Sequence, residues 1–423
     1  MFLMIKDILI LQKRELEKSL KEKYIEREIK HVNLSSNIIK VIIGPRRAGK
    51  SFFALHFLNK KGNFGYVNFD DERLIETENY DEIVVAMNSV YGNLKFILLD
   101  EIQNLLNWEL FVNRLQRQGY NLILTGSNSK LLSKELATHL TGRYTLIHIF
   151  PFSFRECLNL ENEELTTSEV KERLNNYLLY GGYPEPLIKN LDYKDYLSNL
   201  FNSIVYKDIV KRYKIRYPQV IENLAFYLLS NIANEYSYNS LRKILKLNST
   251  HTIGKYLSYL EEAFVFFSLN RFSYKIKGQL SSNKKIYCID NGFIYAKAFR
   301  ASPDFGRLYE NIVANELKRK EIGGKIKFYY WKNIQQEEVD FVVKEGLKVK
   351  QLIQVCFDAE ELETKNREVR ALLKASKELK CKNLLVITGD YEKEEKFEWF
   401  DIKAKIKFIP LWKWLTSLNS LSL

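Results

Sequence analysis

The apolar positions of this 423-residue chain change period along its length. Over residues 7–30 they recur every three to four positions among charged residues, which predicts an amphipathic helix. Short apolar runs follow at 37–43, 64–69, 95–99, 120–125 and 145–150, alternating with stretches of helical spacing, of which 51–59 is the first. Runs of this kind are strands covered on both faces, so the pattern predicts an α/β class core with a parallel sheet between helices. Ligands of such sheets bind beyond the carboxyl ends of the strands, and the candidate chemical residues are placed at those ends. Residues 152–206 read as mostly helical. Residues 207–300 read as helices followed by two short strands around a polar turn, and 305–415 as helix, three strands, helix, strand, strand. Four domains are expected, at 1–150, 151–206, 207–300 and 301–423.

The first strand runs into Gly44-Pro45-Arg46-Arg47-Ala48-Gly49-Lys50-Ser51, which fits G-x-x-x-x-G-K-[ST] in full and opens the next helix. Glycines let backbone N–H groups turn toward phosphate oxygens, and a helix start favours anions. Lys50 is expected at the β- and γ-phosphates and Ser51 on Mg²⁺. The contact set runs on to Phe52, and the implied ligand is a nucleoside triphosphate, ATP, with Mg²⁺. The third strand ends in Asp100-Glu101. Asp100 is expected to orient the metal through its water shell, and Glu101 to position or deprotonate the attacking water. The fourth strand ends in Gly126-Ser127-Asn128, where either Ser127 or Asn128 can sense the γ-phosphate; the sequence does not choose between them. Thr141-Gly142-Arg143 precedes the fifth strand, and Arg143 is the candidate to neutralise transition-state charge in a neighbouring subunit, which implies an oligomer.

Charge adds a second theme. There are 65 basic against 52 acidic residues, a net charge of +13, which suits a polyanionic partner such as nucleic acid as well as plain solubility. Residues 238–248 and 253–263 form two helices around the capping stretch Ser249-Thr-His-Thr, and with the following hairpin they fit a winged helix. Arg271, Lys275, Lys277, Lys284 and Lys285 fall in the wing, while Lys207, Lys211, Arg212, Lys214 and Arg216 lie between Tyr206 and Tyr217. Interleaved bases and aromatics suit phosphate contact and base stacking, so DNA is the expected partner. The four cysteines form no CxxC pair. No apolar run reaches the roughly 20 residues of a membrane span, and the amino-terminal stretch lacks a small-residue cleavage site, so no membrane contact and a cytoplasmic location are expected.

The nucleotide motifs, together with Tyr66-Val-Asn-Phe-Asp-Asp-Glu-Arg73, Pro151-Phe-Ser-Phe-Arg-Glu156, Gly181-Gly-Tyr-Pro-Glu185 and the stretch from Gly306 to Leu317, resemble the AAA+ ATPases of archaea and bacteria that carry an extra carboxy-terminal domain of unknown function. The resemblance covers nearly the whole chain. It implies an AAA+ core, a helical lid with Pro184 against the adenine, a winged-helix domain, and a carboxy-terminal α/β domain similar to PD-(D/E)xK nucleases. In that last domain Glu310 and Asp340 match the helix and strand acids, Gln354 stands where a second acid is needed, and Cys356 where a lysine is needed. A neutral amide binds Mg²⁺ more weakly than a carboxylate, so cleavage is not expected unless Lys348 or Lys350 reaches in. The reading is an ATPase that couples nucleotide state to DNA; the alternatives are a nucleotide-controlled protein scaffold and an ATP-gated nuclease.

Overall fold

The computed structural model describes residues 4–29, 38–75, 77, 79–92, 94–127, 143–160, 163–299, 304–400 and 402–417. The chain divides into two compact units. The first comprises Met1–Phe152 with Leu187–Asn190 and Glu262–Phe264, and the second all remaining segments. The long segment of the first unit ends at Phe152, and most of residues 153–423 lies in the second unit.

The first unit is a five-stranded parallel sheet of β1 (Ile39–Ile43), β2 (Phe64–Asn68), β3 (Phe96–Asp100), β4 (Asn121–Gly126) and β5 (Tyr144–His148) in the order β2-β3-β4-β1-β5. β1 and β3 are buried along their whole length, as a sheet covered on both faces requires. The helices are α1 (Ile5–Ser19), α2 (Lys50–Asn59), α3 (Glu72–Ile75), α4 (Tyr80–Tyr91) and α5 (Trp108–Arg117). β4 lies between the strand that leads into the glycine loop and the strand that ends at Asp100. Gln12 of α1 pairs with the backbone of Asn68 in both directions, at 3.0 and 2.9 Å, and so completes the edge of β2.

The predicted helix over 7–30 stops at Ser19. Beyond it the chain is non-helical, and Ile25 and Arg27 are buried while Glu26 and Glu28 are exposed. That alternation places Ile25 and Arg27 on one side, as an extended segment does. The Arg27 guanidinium donates to the carbonyls of Ala48, at 3.1 Å, and Phe150, and lies 4.7 Å from the centre of the Phe152 ring. A buried arginine satisfied by carbonyls straps this segment beneath the glycine loop, and that fixed pairing overrides the helical pattern.

The second unit begins with helices, including Phe154–Leu158, Thr167–Tyr180 and Tyr193–Ser203. Helices Tyr238–Ile244 and Thr250–Glu262 then accompany an antiparallel sheet ordered β6-β8-β7, of β6 (Glu235–Tyr236), β7 (Phe266–Asn270) and β8 (Lys284–Cys288). The link expected as a polar turn between β7 and β8 contains a helix, Ile276–Ser281. Helix Phe305–Ile322 leads into a six-stranded mixed sheet ordered β13-β14-β12-β11-β10-β9. Its strands are β9 (Lys327–Lys332), β10 (Glu338–Glu345), β11 (Lys348–Cys356), β12 (Leu384–Thr388), β13 (Lys393–Trp399) and β14 (Ile402–Pro410), with helix Leu362–Leu379 between β11 and β12. Three strands, not the expected two, follow that helix. β13 is the edge strand and reads Lys-Glu-Glu-Lys-Phe-Glu-Trp, with no apolar run to announce it.

The glycine pair at 181–182 is accounted for within this unit. A Cβ on Gly181 would lie 1.8 Å from Asp290 Oδ1, and the backbone φ there is +74°. Asp290 is buried, caps helix Asn291–Lys297, and accepts N–H bonds from Gly182 and Gly292, both at 2.8 Å. Burial pushes its carboxyl up to about 7, against those two bonds and the charge of Arg319. An unfolded aspartate titrates near 4, so the Asp290 contribution is complete below about pH 4 and fades as pH rises through its folded value. Denaturant unfolding measured across that range should show Asp290→Asn losing up to about 4 kcal/mol of this pH dependence relative to the wild type. Parallel pH profiles for the two proteins would contradict the assignment.

Candidate nucleotide site

The glycine loop leaves β1 and opens α2, as its motif requires. A Cβ on Gly44 would lie 1.9 Å from the carbonyl oxygen of Ile149, so no side chain fits there. Arg47 has φ +60°, a left-handed turn that bends the loop back on itself. Pro45 and Ala48 are buried, Arg46 and Gly49 half-buried, and Arg47 exposed. The buried Lys50 ammonium donates to the Pro45 carbonyl at 2.9 Å and thereby closes the loop across its own mouth. Phe52 sits one position beyond Ser51, with its ring 4.6 Å from that of His56.

Asp100 emerges from β3 into a group of hydroxyls. Ser51 Oγ donates to Asp100 Oδ1 at 2.7 Å, Thr125 Oγ1 donates to the same oxygen, and Tyr66 O–H donates to Oδ2 at 3.2 Å. Burial, reinforced by the charge of Glu101, raises the Asp100 carboxyl above its usual range, and the three hydroxyls counter this. A hard divalent cation takes oxygen ligands, and the Ser51 hydroxyl beside the Asp100 carboxylate is such a pair. The loop, Lys50 and this pair fit Mg²⁺ with a triphosphate.

Glu101 follows in the left-handed region, with φ +49°. Its N–H donates to Thr125 Oγ1 at 3.0 Å, and the Gln103 amide donates to its carboxylate. Thr125 therefore links the two acids, and the sequence reading missed it. The signal was present: β3 and β4 pair in parallel with Leu99 beside Leu124, which sets Thr125 next to Asp100. Ser127 is buried just past the end of β4. Asn128, Thr141 and Gly142 lie outside the described residues.

Arg143 departs from the expectation that every candidate sits at the carboxyl ends of the strands. It is exposed, and its carbonyl accepts from Ile39 N, at the amino end of β1. Five residues of β1 separate that edge from the glycine loop, about 16 Å of extended chain. Arg143 is thus at the opposite edge of its own sheet. Pro184 opens the short helix Pro184–Lys189 and is itself assigned to the second unit.

The other candidate residues are redistributed. Lys207, Lys211, Lys214, Arg216, Lys275 and Lys277 are exposed, while Arg212 and Lys284 are half-exposed. Arg271 donates to the Lys332 carbonyl, and Lys285 is buried among carboxylates, so neither forms part of an open basic wing. The two carboxylates expected to face each other, Glu310 and Asp340, do meet, with Glu338 as an unforeseen third. Gln354 does not join them: its Oε1 accepts from Asp340 N at 3.1 Å and its Nε2 donates to Glu368 at 2.6 Å. Lys348 and Lys350 are exposed around the β10–β11 turn, Lys350 pairing with Glu345 at 2.9 Å, so neither supplies the ammonium. Cys356 is buried, and burial pushes its thiol up to about 12, which keeps it un-ionised. Among the described residues, no group of three or more His, Cys, Asp or Glu side chains is arranged to hold a metal ion, and no helix is long and apolar enough to cross a membrane.

Comparison with known proteins places an AAA domain over residues 36–158 and two domains of unknown function, DUF8612 over 171–303 and DUF4143 over 305–414. The chain is 38% identical over 419 residues to an uncharacterized protein of Methanocaldococcus jannaschii, covering 94% of this chain and 92% of that one. An uncharacterized protein of Haemophilus influenzae is 29% identical over 399 residues, covering 90% and 96%. Among solved structures, a Walker-type ATPase of Pyrococcus abyssi overlaps with a TM-score of 0.43 at 16% identity, covering 69% of this chain and 96% of that one. The Aeropyrum pernix Orc1 protein, solved in complex with DNA, overlaps with a TM-score of 0.31 at 11% identity, covering 74% and 93%.

Thr125 gives the most specific test of this geometry. Thr125→Val keeps the volume and removes the hydroxyl. ATP turnover is expected to fall about 10- to 100-fold, with ATP affinity changed only a few-fold, as for other groups that orient a metal-site carboxylate. Turnover equal to wild type would show that Asp100 and Glu101 do not need the link.

Proposed function

The chain belongs to the family of the Methanocaldococcus jannaschii protein, and from that premise we propose that it hydrolyses ATP with Mg²⁺ and couples nucleotide state to contact with DNA. The observation that carries the first part is the convergence of Ser51, Thr125 and Tyr66 on Asp100, beside Glu101 and the glycine loop. In this reading the loop amides and Lys50 hold the β- and γ-phosphates, while Ser51 and Asp100 hold the Mg²⁺ side of the site. The metal, when bound, offsets the negative charge of the phosphate oxygens. Lys50 exchanges its bond to the Pro45 carbonyl for phosphate oxygens. Glu101 accepts the proton of the attacking water, and Gln103 and Thr125 set its direction. Ser127 or Asn128, just past the end of β4, is the sensor in this reading.

Arg143, at the opposite edge of its own sheet, is suited to reach the site of an adjacent subunit and not its own. Active protein is then an oligomer. Pro184 and the helices that follow 152 form the lid in this reading, with the proline against the base, and residues 207–300 form the winged helix. Exposed Lys243, Lys246 and Lys255 extend the basic set of Lys207, Lys211, Lys214, Arg216, Lys275 and Lys277, interleaved with exposed Tyr206, Tyr217 and Tyr274. That combination favours a nucleic-acid phosphate backbone over a protein-only scaffold. The nuclease alternative is disfavoured because a lysine already occupies the midst of the carboxylates.

The test is steady-state ATP hydrolysis with single-stranded, duplex and branched DNA at several salt concentrations. Stimulation by one DNA form, with a steep loss as salt rises, is expected. Glu101→Gln should retain ATP binding and lose turnover by at least about 100-fold. Arg143→Ala should likewise bind and not turn over, and mixing it with Glu101→Gln should restore activity, since each lacks a different half of a shared site. Undiminished turnover in Glu101→Gln would remove the hydrolytic reading; full turnover in Arg143→Ala would remove the shared site alone.

A further inference from the structure

Four charged side chains meet inside the second unit. Lys285 of β8 has a side chain only 3% exposed, and its Nζ lies 2.8 Å from Glu310 Oε1, 2.5 Å from Glu338 Oε1 and 3.2 Å from Asp340 Oδ1. Glu310 belongs to helix Phe305–Ile322, and Glu338 and Asp340 to β10. We propose that the Lys285 ammonium is a built-in counter-ion that fills the point where a divalent cation would bridge Glu310, Glu338 and Asp340, so that the cluster takes no metal and instead fastens the β6-β8-β7 sheet to the six-stranded sheet.

The donors and acceptors match. An ammonium has three N–H bonds, and three separate carboxylates surround it. The remaining valences of two acids are also taken up: Tyr287 O–H donates to Glu310 Oε1 at 2.7 Å, and Val355 N–H donates to Asp340 Oδ2 at 2.9 Å. A divalent ion could enter only by expelling a buried ammonium that is fully hydrogen-bonded. Burial disfavours the charge on Lys285, but the negative groups around it, Glu310 foremost, hold it well above the usual lysine range. Burial, with Asp340 nearby, pushes the Glu310 carboxyl up, and the Lys285 ammonium and the Tyr287 hydroxyl pull it back.

The same seam carries further bonds between the two sheets. Lys332 of β9 pairs with Glu235 of β6 at 2.5 Å, and Tyr330 O–H donates to the Asn283 carbonyl at 2.6 Å. Phe272 N–H donates to the Tyr330 carbonyl at 2.6 Å, and the Arg271 guanidinium donates to the Lys332 carbonyl. Lys285 is buried within this seam. It ties β8 to helix Phe305–Ile322 and to β10.

The experiment compares Mn²⁺ binding by nucleotide-free wild type and Lys285→Met, read by electron paramagnetic resonance and by thermal unfolding. Wild type is expected to bind no Mn²⁺ at this cluster and to show no Mn²⁺-dependent shift. Lys285→Met leaves three buried carboxylates uncompensated, and its unfolding midpoint should drop by about 10 °C or more. Mn²⁺ should raise that midpoint again and bind at one equivalent, with the gain abolished by adding Asp340→Asn. One equivalent of Mn²⁺ bound by wild type and lost on Glu310→Gln would overturn the proposal. So would a Lys285→Met protein as stable as wild type. Should that variant not fold, the wild-type measurement still decides between a filled and an open site.

Discussion

The carbonyl of Ile149 leaves no space for a side chain at Gly44, and the rest of the first unit follows from the loop that must turn there. The loop has to leave a buried strand, bend back through a left-handed residue and enter a helix within a few residues. Loops of this kind turn backbone N–H groups toward phosphate oxygens. Every other feature of the site is measured from this loop. Lys50 closes it, Ser51 reaches Asp100 across it, and Arg27 supports it from below through the Ala48 and Phe150 carbonyls. A hydroxyl and a carboxylate at hydrogen-bond distance make an oxygen pair for a hard cation only because β1 and β3 are held at a fixed separation. β4 between them sets that separation and contributes Thr125 from the same plane.

Much of this was legible in the sequence, for a physical reason. Buried parallel strands must be apolar along their length, so the five runs declared themselves, and a phosphate-binding loop needs specific residues at fixed spacing. What was not legible depended on neighbours in space. Thr125 is an ordinary strand residue until register sets it beside Asp100. Arg27 looked like part of an amphipathic helix because its burial comes from two carbonyls more than twenty residues away, and not from local periodicity. Arg143 shares a motif with residues outside the described set, and only the pairing of Ile39 with it reveals which edge of the sheet it occupies.

The second unit illustrates the opposite limit. Lys285 stands in a run of basic residues that suggests a nucleic-acid surface, yet its side chain is only 3% exposed. Sequence composition reports how many charges there are, not which of them meet. Three acids from a helix and a strand distant in sequence gather around it, and their mutual repulsion is tolerable only with a cation among them. The glycine pair at 181–182 is similar. It reads as a turn signal, and the resemblance assigns the segment to base binding, whereas Asp290 gives its local geometry a separate cause in packing.

The central claim is that the 44–51 loop grips a triphosphate through backbone amides, Lys50 and a metal-bound hydroxyl. The most direct measurement is calorimetric titration of ATP into the protein with and without Mg²⁺, beside AMP and beside Lys50→Ala. The account expects ATP to bind with one site per chain, Mg²⁺ to strengthen binding, AMP to bind far more weakly, and Lys50→Ala to lose the ATP signal. Binding that is indifferent to the β- and γ-phosphates, or intact in Lys50→Ala, would contradict it.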